Sequence, residues 1–301
     1  MGRRARGQYL IYIVFFVLCI LLYLRLTTVN EGFEEKLVSK GIILEIIGGL
    51  GNQLYTYAAG KRIQKSLGTP LFMVFATDKN PHSDKDYRAI LFKDCTAIER
   101  NDPRMSDKID ARVQDKFWDP WSPDSIPSTN QYVFLPQQWY QDFPSIQSEI
   151  PEVRESVLKI LKGLYPDTVM ESEAAFIHVR RGDYTDKGND VYLLDMDYYN
   201  KALEAMNGSP VETYYIFSND VAWCKQQSWN TAKSIHYIDE PDELKTLYMM
   251  SLCKAGAIIS NSTFSSWGAF LGPYSASGKI IYPSKWLYGA STDFPTDWVK
   301  I

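Results

Sequence analysis

The chain has 301 residues, 45% of them hydrophobic, with a formal net charge of −4. That length holds two α/β domains with well-filled cores, while the acidic balance argues against nucleic acid as a partner, which calls for a basic face. Few histidines and cysteines, and no Cys-x-x-Cys, leave no structural zinc site to propose.

At the N-terminus, Arg3, Arg4 and Arg6 precede an uncharged stretch from Gly7 to Leu24, about the minimum for spanning a bilayer. No small-x-small cleavage pattern follows Leu24, which favours a signal anchor over a cleaved signal peptide. Three arginines before the segment, against Arg25 just after it, place the N-terminus in the cytoplasm. The expected layout is a cytoplasmic tail over 1–6, a transmembrane anchor over 7–26 and a stem over 27–40. An N-terminal α/β domain over 41–165 and a C-terminal one over 166–301 follow. Cys95, Cys224 and Cys253 would then lie in an oxidising lumen; they allow one disulfide at most, and the sequence does not choose a pair.

The first domain opens with GIILEIIGGLGNQLYTYAAGKRIQKSLG. Ile42 to Ile47 reads as a strand, Gly48, Gly49 and Gly51 as a turn, and Gln53 to Ser66 as a helix with Gly68 as its C-cap. Leu54 stands where a dinucleotide fingerprint needs its third glycine, and no lysine follows to make a P-loop. Leu71 to Ala76 is a second strand. Beyond it the pattern is irregular up to Pro151, with Tyr132 to Leu135 a further strand. Phe117, Trp118, Trp121, Trp139 and Tyr140 either stack against sugar rings or fill a loop-rich core; both readings stand. Pro151 to Gly163 is an amphipathic helix with Val153, Val157, Leu158 and Leu161 on one face.

The second domain begins with AAFIHVRRGDY. Ala174 to Val179 is a buried strand, so Arg180, Arg181, Gly182 and Asp183 fall at its carboxyl edge, where open α/β sheets bind ligands. Two arginines there suit a diphosphate, Gly182 allows a tight turn, and Asp183 braces a guanidinium. Asp195-Met196-Asp197 opens a helix, which makes a cap a better reading than a metal-binding Asp-x-Asp. Glu212 to Ser218 is a strand ending in Asn219-Asp220, which by residue type alone reads as a turn. Ser234 to Ile238 is another strand and Asp242 to Lys254 a helix. Ala257 to Ser260 is the last strand read, followed by a helix from about Phe264. Ser262, Thr263 and Ser265 present hydroxyls and amides there to phosphate oxygens. Asn261-Ser262-Thr263 is also a glycosylation sequon, a reading that conflicts with a buried phosphate cradle.

HVRRGDY resembles the signature of the α1,2-fucosyltransferases of glycosyltransferase family 11, and more loosely the H-x-R-R-x-D element of α1,6- and protein O-fucosyltransferases. GGLGNQL is similar to their N-terminal G-x-x-G-N-Q element, and ISNSTFSSW to the third family 11 motif. The resemblance covers nearly all of the chain beyond the anchor. It implies a GT-B architecture, two Rossmann-like domains with mostly parallel sheets. It also implies inverting, metal-independent fucosyl transfer from GDP-β-L-fucose to the 2-hydroxyl of a terminal β-galactoside, with no cofactor. By the resemblance, Arg180, Asp183 and Asn52 form the catalytic set. His178, Arg180, Arg181, Gly49, Gly51, Asn52, Asn219, Asp220, Ser262, Thr263, Phe264 and Ser265 bind GDP-fucose. A galactose-terminated glycan is the implied acceptor, and a type II Golgi membrane protein the implied setting. Asp186 and Asp190 are base candidates on proximity alone. The alternatives are another acceptor or linkage, a non-catalytic receptor on the same fold, and a metal-dependent transferase using Asp195 and Asp197.

Overall fold

The computed structural model describes residues 39–76, 85–116, 118–185, 193–272, 278–286 and 293–301. The expected tail, anchor and nearly all of the stem lie outside the described residues, as do Phe117, Asp186 and Asp190. No helix among the described residues is long and apolar enough to cross a membrane.

Two sheets organise the chain. The first holds β1 (Gly41–Ile46), β2 (Leu71–Phe75), β3 (Thr96–Ile98), β4 (Lys108–Asp110) and β5 (Tyr132–Leu135), in the order β3-β2-β1-β5-β4. The second holds β6 (Ala174–Val179), β7 (Thr213–Ser218), β8 (Ser234–Ile238), β9 (Gly256–Ile258), β10 (Lys279–Tyr282) and β11 (Val299–Lys300), in the order β11-β10-β9-β6-β7-β8. Every pairing described is parallel. The mixed α/β class with parallel sheets is therefore as expected. β1 and β6 are buried at every position, as central strands covered on both faces must be.

Parallel neighbours need crossover connections. The helices are α1 (Leu50–Leu67), α2 (Arg88–Leu91), α3 (Phe143–Ile146), α4 (Ile150–Leu164), α5 (Met196–Ala205), α6 (Val221–Lys225), α7 (Glu243–Leu252) and α8 (Thr263–Leu271). α1 ends at Gly68, whose left-handed backbone lets its N–H reach Gln64 O. It begins earlier than expected, so Gly51 belongs to its first turn rather than to the preceding loop. α4 starts without a side-chain cap; Pro151 in its first turn has no N–H to leave unpaired. Its Val153, Val157 and Leu161 are buried, each contributing roughly 1.5–3 kcal/mol. Leu158 is only partly buried, against the same core. Asp195 accepts hydrogen bonds from the N–H groups of Asp197 and Tyr198, which makes it the N-cap of α5.

One hydrophobic core runs through both sheets. α1 and α8 meet at its centre, where the Tyr55 ring lies edge-on to Trp267 at 5.6 Å and its hydroxyl meets Ser266 Oγ at 3.2 Å. Phe270 of α8 stacks on Phe143 of α3. Cys95, Cys224 and Cys253 are buried free thiols, so the disulfide that the sequence left open does not form among the described residues.

Candidate active site

A cleft of 1120 Å³ lies where the carboxyl edges of the two sheets face each other. The first sheet delivers Gly49 and Asn52 after β1, and Trp139 and Gln141 after β5. From the second come Arg180 and Asp183 after β6, Asn219 and Asp220 after β7, Asp239 after β8, and Thr263 and Phe264 after β9. Strand ends leave loop backbone and side chains free of sheet pairing, so ligands bind beyond them.

Arg180 is the cation aimed into this cleft. Its Nη2 is 2.6 Å from Asp183 Oδ1, the bracing pair anticipated above, and its guanidinium lies 5.3 Å from the centre of the Tyr184 ring. Gly182 makes the connection with φ 49°, and a Cβ there would collide with Asn219 Nδ2. Asn219 Oδ1 in turn accepts the N–H of Arg181 at 2.9 Å.

Arg181 departs from the expectation that both arginines face the ligand. Its guanidinium sits 4.0 Å above the Trp223 ring, its Nε is 3.4 Å from Asp220 Oδ2, and it is not part of the cleft wall. Successive residues leaving a strand point to opposite sides, so the pair is split. Asp220 is also partly engaged, since its Oδ1 accepts the Trp223 N–H at 3.0 Å and caps α6. Asp239, at the end of the neighbouring strand, is a further carboxylate on the cleft.

His178 is buried beside Arg180, with Nδ1 2.9 Å from Ser260 Oγ. Burial first, and the Arg180 charge second, push its pKa down to about 3, so the imidazole is neutral at physiological pH.

Across the cleft, Asn52 Oδ1 accepts from Thr263 Oγ1 at 2.9 Å and from Gln141 Nε2 at 3.0 Å. Gly51 lines the cleft and also packs against α8: a Cβ there would lie 2.5 Å from Thr263 C and 2.7 Å from Thr263 Oγ1. Gly49 lines the cleft too, with nothing within 4 Å of where a Cβ would be. The serine hydroxyls are a further correction. Ser265 Oγ accepts the Ser260 N–H at 3.0 Å and closes the turn before α8, and Ser262 is buried; neither lines the cleft. Asn261 of the sequon is buried as well.

Of the aromatic cluster, Trp121 and Tyr140 fill the core and Trp139 lines the cleft. Gln141, Tyr184 and Asp239 belong to the wall and were not anticipated. Asn219 and Asp220 follow from the family resemblance, whereas the carboxyl-edge rule alone marks Asp239, because it directly follows β8. No comparable signal marked Gln141.

The fold, the cleft and the comparisons together define a glycosyltransferase. The chain belongs to glycosyl transferase family 11, whose pattern is matched by residues 123–286, more than half its length. It is similar to the O-antigen biosynthesis glycosyltransferase WbnK of Escherichia coli, 26% identical over 80% of this chain and 93% of that protein. It is also similar to galactoside alpha-(1,2)-fucosyltransferase 2 of Pongo pygmaeus, 26% identical over 79% of this chain and 70% of that protein. Among solved structures, the fucosyltransferase NodZ from Bradyrhizobium overlaps 78% of this chain and 94% of its own, with 14% identity and a TM-score of 0.44. That overlap is too loose to add to the strand order described above.

Proposed function

We propose that the protein transfers L-fucose from GDP-β-L-fucose to the 2-hydroxyl of a terminal β-galactoside, with inversion, on a GT-B-type fold. The observation that carries the reading is Arg180, held by Asp183 at the carboxyl edge of β6 and aimed into a cleft wide enough for a nucleotide sugar. The acceptor oxygen attacks the anomeric carbon as the bond from that carbon to the β-phosphate oxygen breaks. The electron pair leaves on GDP, and the acceptor proton passes to a base. A guanidinium fixed beside the leaving phosphate stabilises charge that builds only as the bond breaks. His178, neutral and adjacent, adds no repulsion to a cation already there. Asp220 and Asp239 supply carboxylates for the N–H edge of guanine, and Asn52 and Thr263 close the opposite wall.

In this reading Arg180 does the work a divalent ion does elsewhere, and no cofactor takes part. Support comes from Asp195, whose carboxylate caps α5 and does not reach the cleft. Membrane tethering by residues 7–26, with the catalytic part in the Golgi lumen, belongs to the same proposal.

The test is GDP release from GDP-fucose across a panel of galactosides, with the linkage of the product read by NMR. Acceptor-dependent release, a new 1,2-linkage and full activity in EDTA are expected. Binding of GDP-fucose with no release of GDP on any acceptor would point to a receptor, and loss in EDTA restored by manganese would return the argument to Asp195 and Asp197.

A further inference from the structure

The segment between β5 and α3 takes a strained path. Tyr140 has φ 54°, a left-handed conformation that bulky aromatic residues avoid. Strain of this kind persists only where the surroundings over-determine it, and it collects at functional sites. Here the surroundings are three glutamines. The Tyr140 N–H donates to Gln114 Oε1 at 2.8 Å, and Gln114 Nε2 donates to the Asp119 carbonyl at 2.8 Å. Gln138 Oε1 accepts the N–H groups of Val113 and Gln114 at 2.7 and 2.8 Å. The Tyr140 ring is fully buried, edge-on to Trp121.

The strained turn brings the third glutamine, Gln141, onto the cleft wall against Asn52. Asn52 Oδ1 then accepts two donors, Gln141 Nε2 from the first sheet's side and Thr263 Oγ1 from the second's. With its oxygen doubly held, the Asn52 amide has one orientation, and Nδ2 has no acceptor among the described residues. Nδ2 lies over Gly48, where a Cβ would come within 2.7 Å of it and 3.0 Å of the cleft-lining Trp139 ring. Gln141 Oε1 is buried without a donor. Reversing both amides would keep the contact but bury an N–H₂ without an acceptor. Orphaned buried N–H groups are rarer in proteins than under-satisfied carbonyls.

We propose that Gln141 is a positioning residue that fixes the Asn52 side chain so that Nδ2, and not Oδ1, is presented to an oxygen of the nucleotide sugar. The inference rests on the fucosyl-transfer reading above. It explains why a strained backbone is held at Tyr140: the strain places an amide N–H₂ against Asn52. A donor at the cleft wall attracts phosphate or sugar oxygens, whereas an oxygen there would repel them.

The test compares Gln141→Glu with Gln141→Leu. Glutamate keeps the shape of glutamine but, when ionised, only accepts, so Asn52 must turn over to donate to it and present Oδ1 to the cleft. Leucine leaves Asn52 held by Thr263 alone. In steady-state kinetics with GDP-fucose and a β-galactoside, Gln141→Glu should lower kcat/KM for GDP-fucose about ten- to a hundredfold, more than Gln141→Leu does. Its activity relative to wild type should recover as pH falls and the carboxyl regains a proton to donate. In an Asn52→Ala background both substitutions should have little further effect, because residues acting through one another are not additive. If Gln141→Glu does not fold, Asn52→Asp serves: it keeps both donors to its oxygen and replaces N–H₂ with an acceptor. It should lose as much kcat/KM as Asn52→Ala while keeping its melting temperature.

A purely structural role for Gln141 predicts the reverse order, with the isosteric glutamate milder than leucine at every pH. That order, or undiminished losses in the Asn52→Ala background, overturns the inference while an active wild type leaves fucosyl transfer standing. A folded wild type without turnover on GDP-fucose removes both together.

Discussion

His178 and Arg180 sit two residues apart at the end of one strand, and only the arginine is charged at neutral pH. The consequence for stability has a definite sign. A histidine unfolds into water with a pKa near 6.5, while here burial, then the Arg180 charge, hold it at about 3. Below about pH 6.5 the unfolded chain therefore takes up a proton that the folded one refuses. Stability from this residue is intact above that pH and falls as pH drops toward 3, by at most about 1.4 kcal/mol per unit. Melting temperatures of wild type and His178→Gln across this window should converge as pH falls; parallel curves would show that His178 does not titrate in this way. For Arg180 the expected signature is kinetic. Arg180→Ala should lose at least about 10²- to 10³-fold in kcat, and Arg180→Lys, which keeps the charge but not the planar fork, should lose more in kcat than in donor KM. Near-normal turnover in Arg180→Ala would remove the leaving-group role proposed here.

Among the elements, α1 and α8 approach so closely that one side-chain carbon matters. Alanine at position 51 would gain about 1 kcal/mol in helix propensity, but its Cβ would press on the backbone of Thr263 and Phe264, which has no flexible end to yield. Gly51→Ala should therefore destabilise by about 1–3 kcal/mol and lower activity by parting the walls of the cleft. Gly163, in the last turn of α4, has nothing within 4 Å of its missing Cβ, so Gly163→Ala should stabilise by up to about 1 kcal/mol. Chemical denaturation of the two variants checks the opposite signs. The same contrast shows what was legible in the sequence. β5, β6 and β8 were read with their observed bounds, because each is a compact run rich in β-branched and aromatic residues. β3 and β4 were missed. Each has three residues, too few for a period, and each owes its existence to a parallel partner, β2 or β5. Within the site, residue type marks Arg180 and Arg181 alike, whereas only Arg180 lines the cleft, because successive residues leaving a strand face opposite ways. The direction of the Ser265 hydroxyl depends on a turn that only the folded chain defines.

At the scale of the molecule, the two sheets share one core, with Tyr55 and Phe143 from the first half packed on Trp267 and Phe270 from the second. Each half also holds a smaller cluster of its own, but neither closes this shared apolar surface alone, so the chain should unfold in one transition. Tryptophan fluorescence and far-UV circular dichroism should give coincident denaturation curves, and residues 41–165 expressed alone should not fold cooperatively; two separated transitions would show that the halves are independent. The buried thiols give this shared core a chemical timekeeper. Cys95 lies in the half built on the first sheet and Cys253 in the half built on the second. Burial raises the pKa of both, that of Cys95 to about 12, so hardly any thiolate exists at neutral pH in either place. Because the thiolate is the species that alkylates, an added electrophile reads out how often each half opens. With one core between them, the two cysteines should be labelled in step.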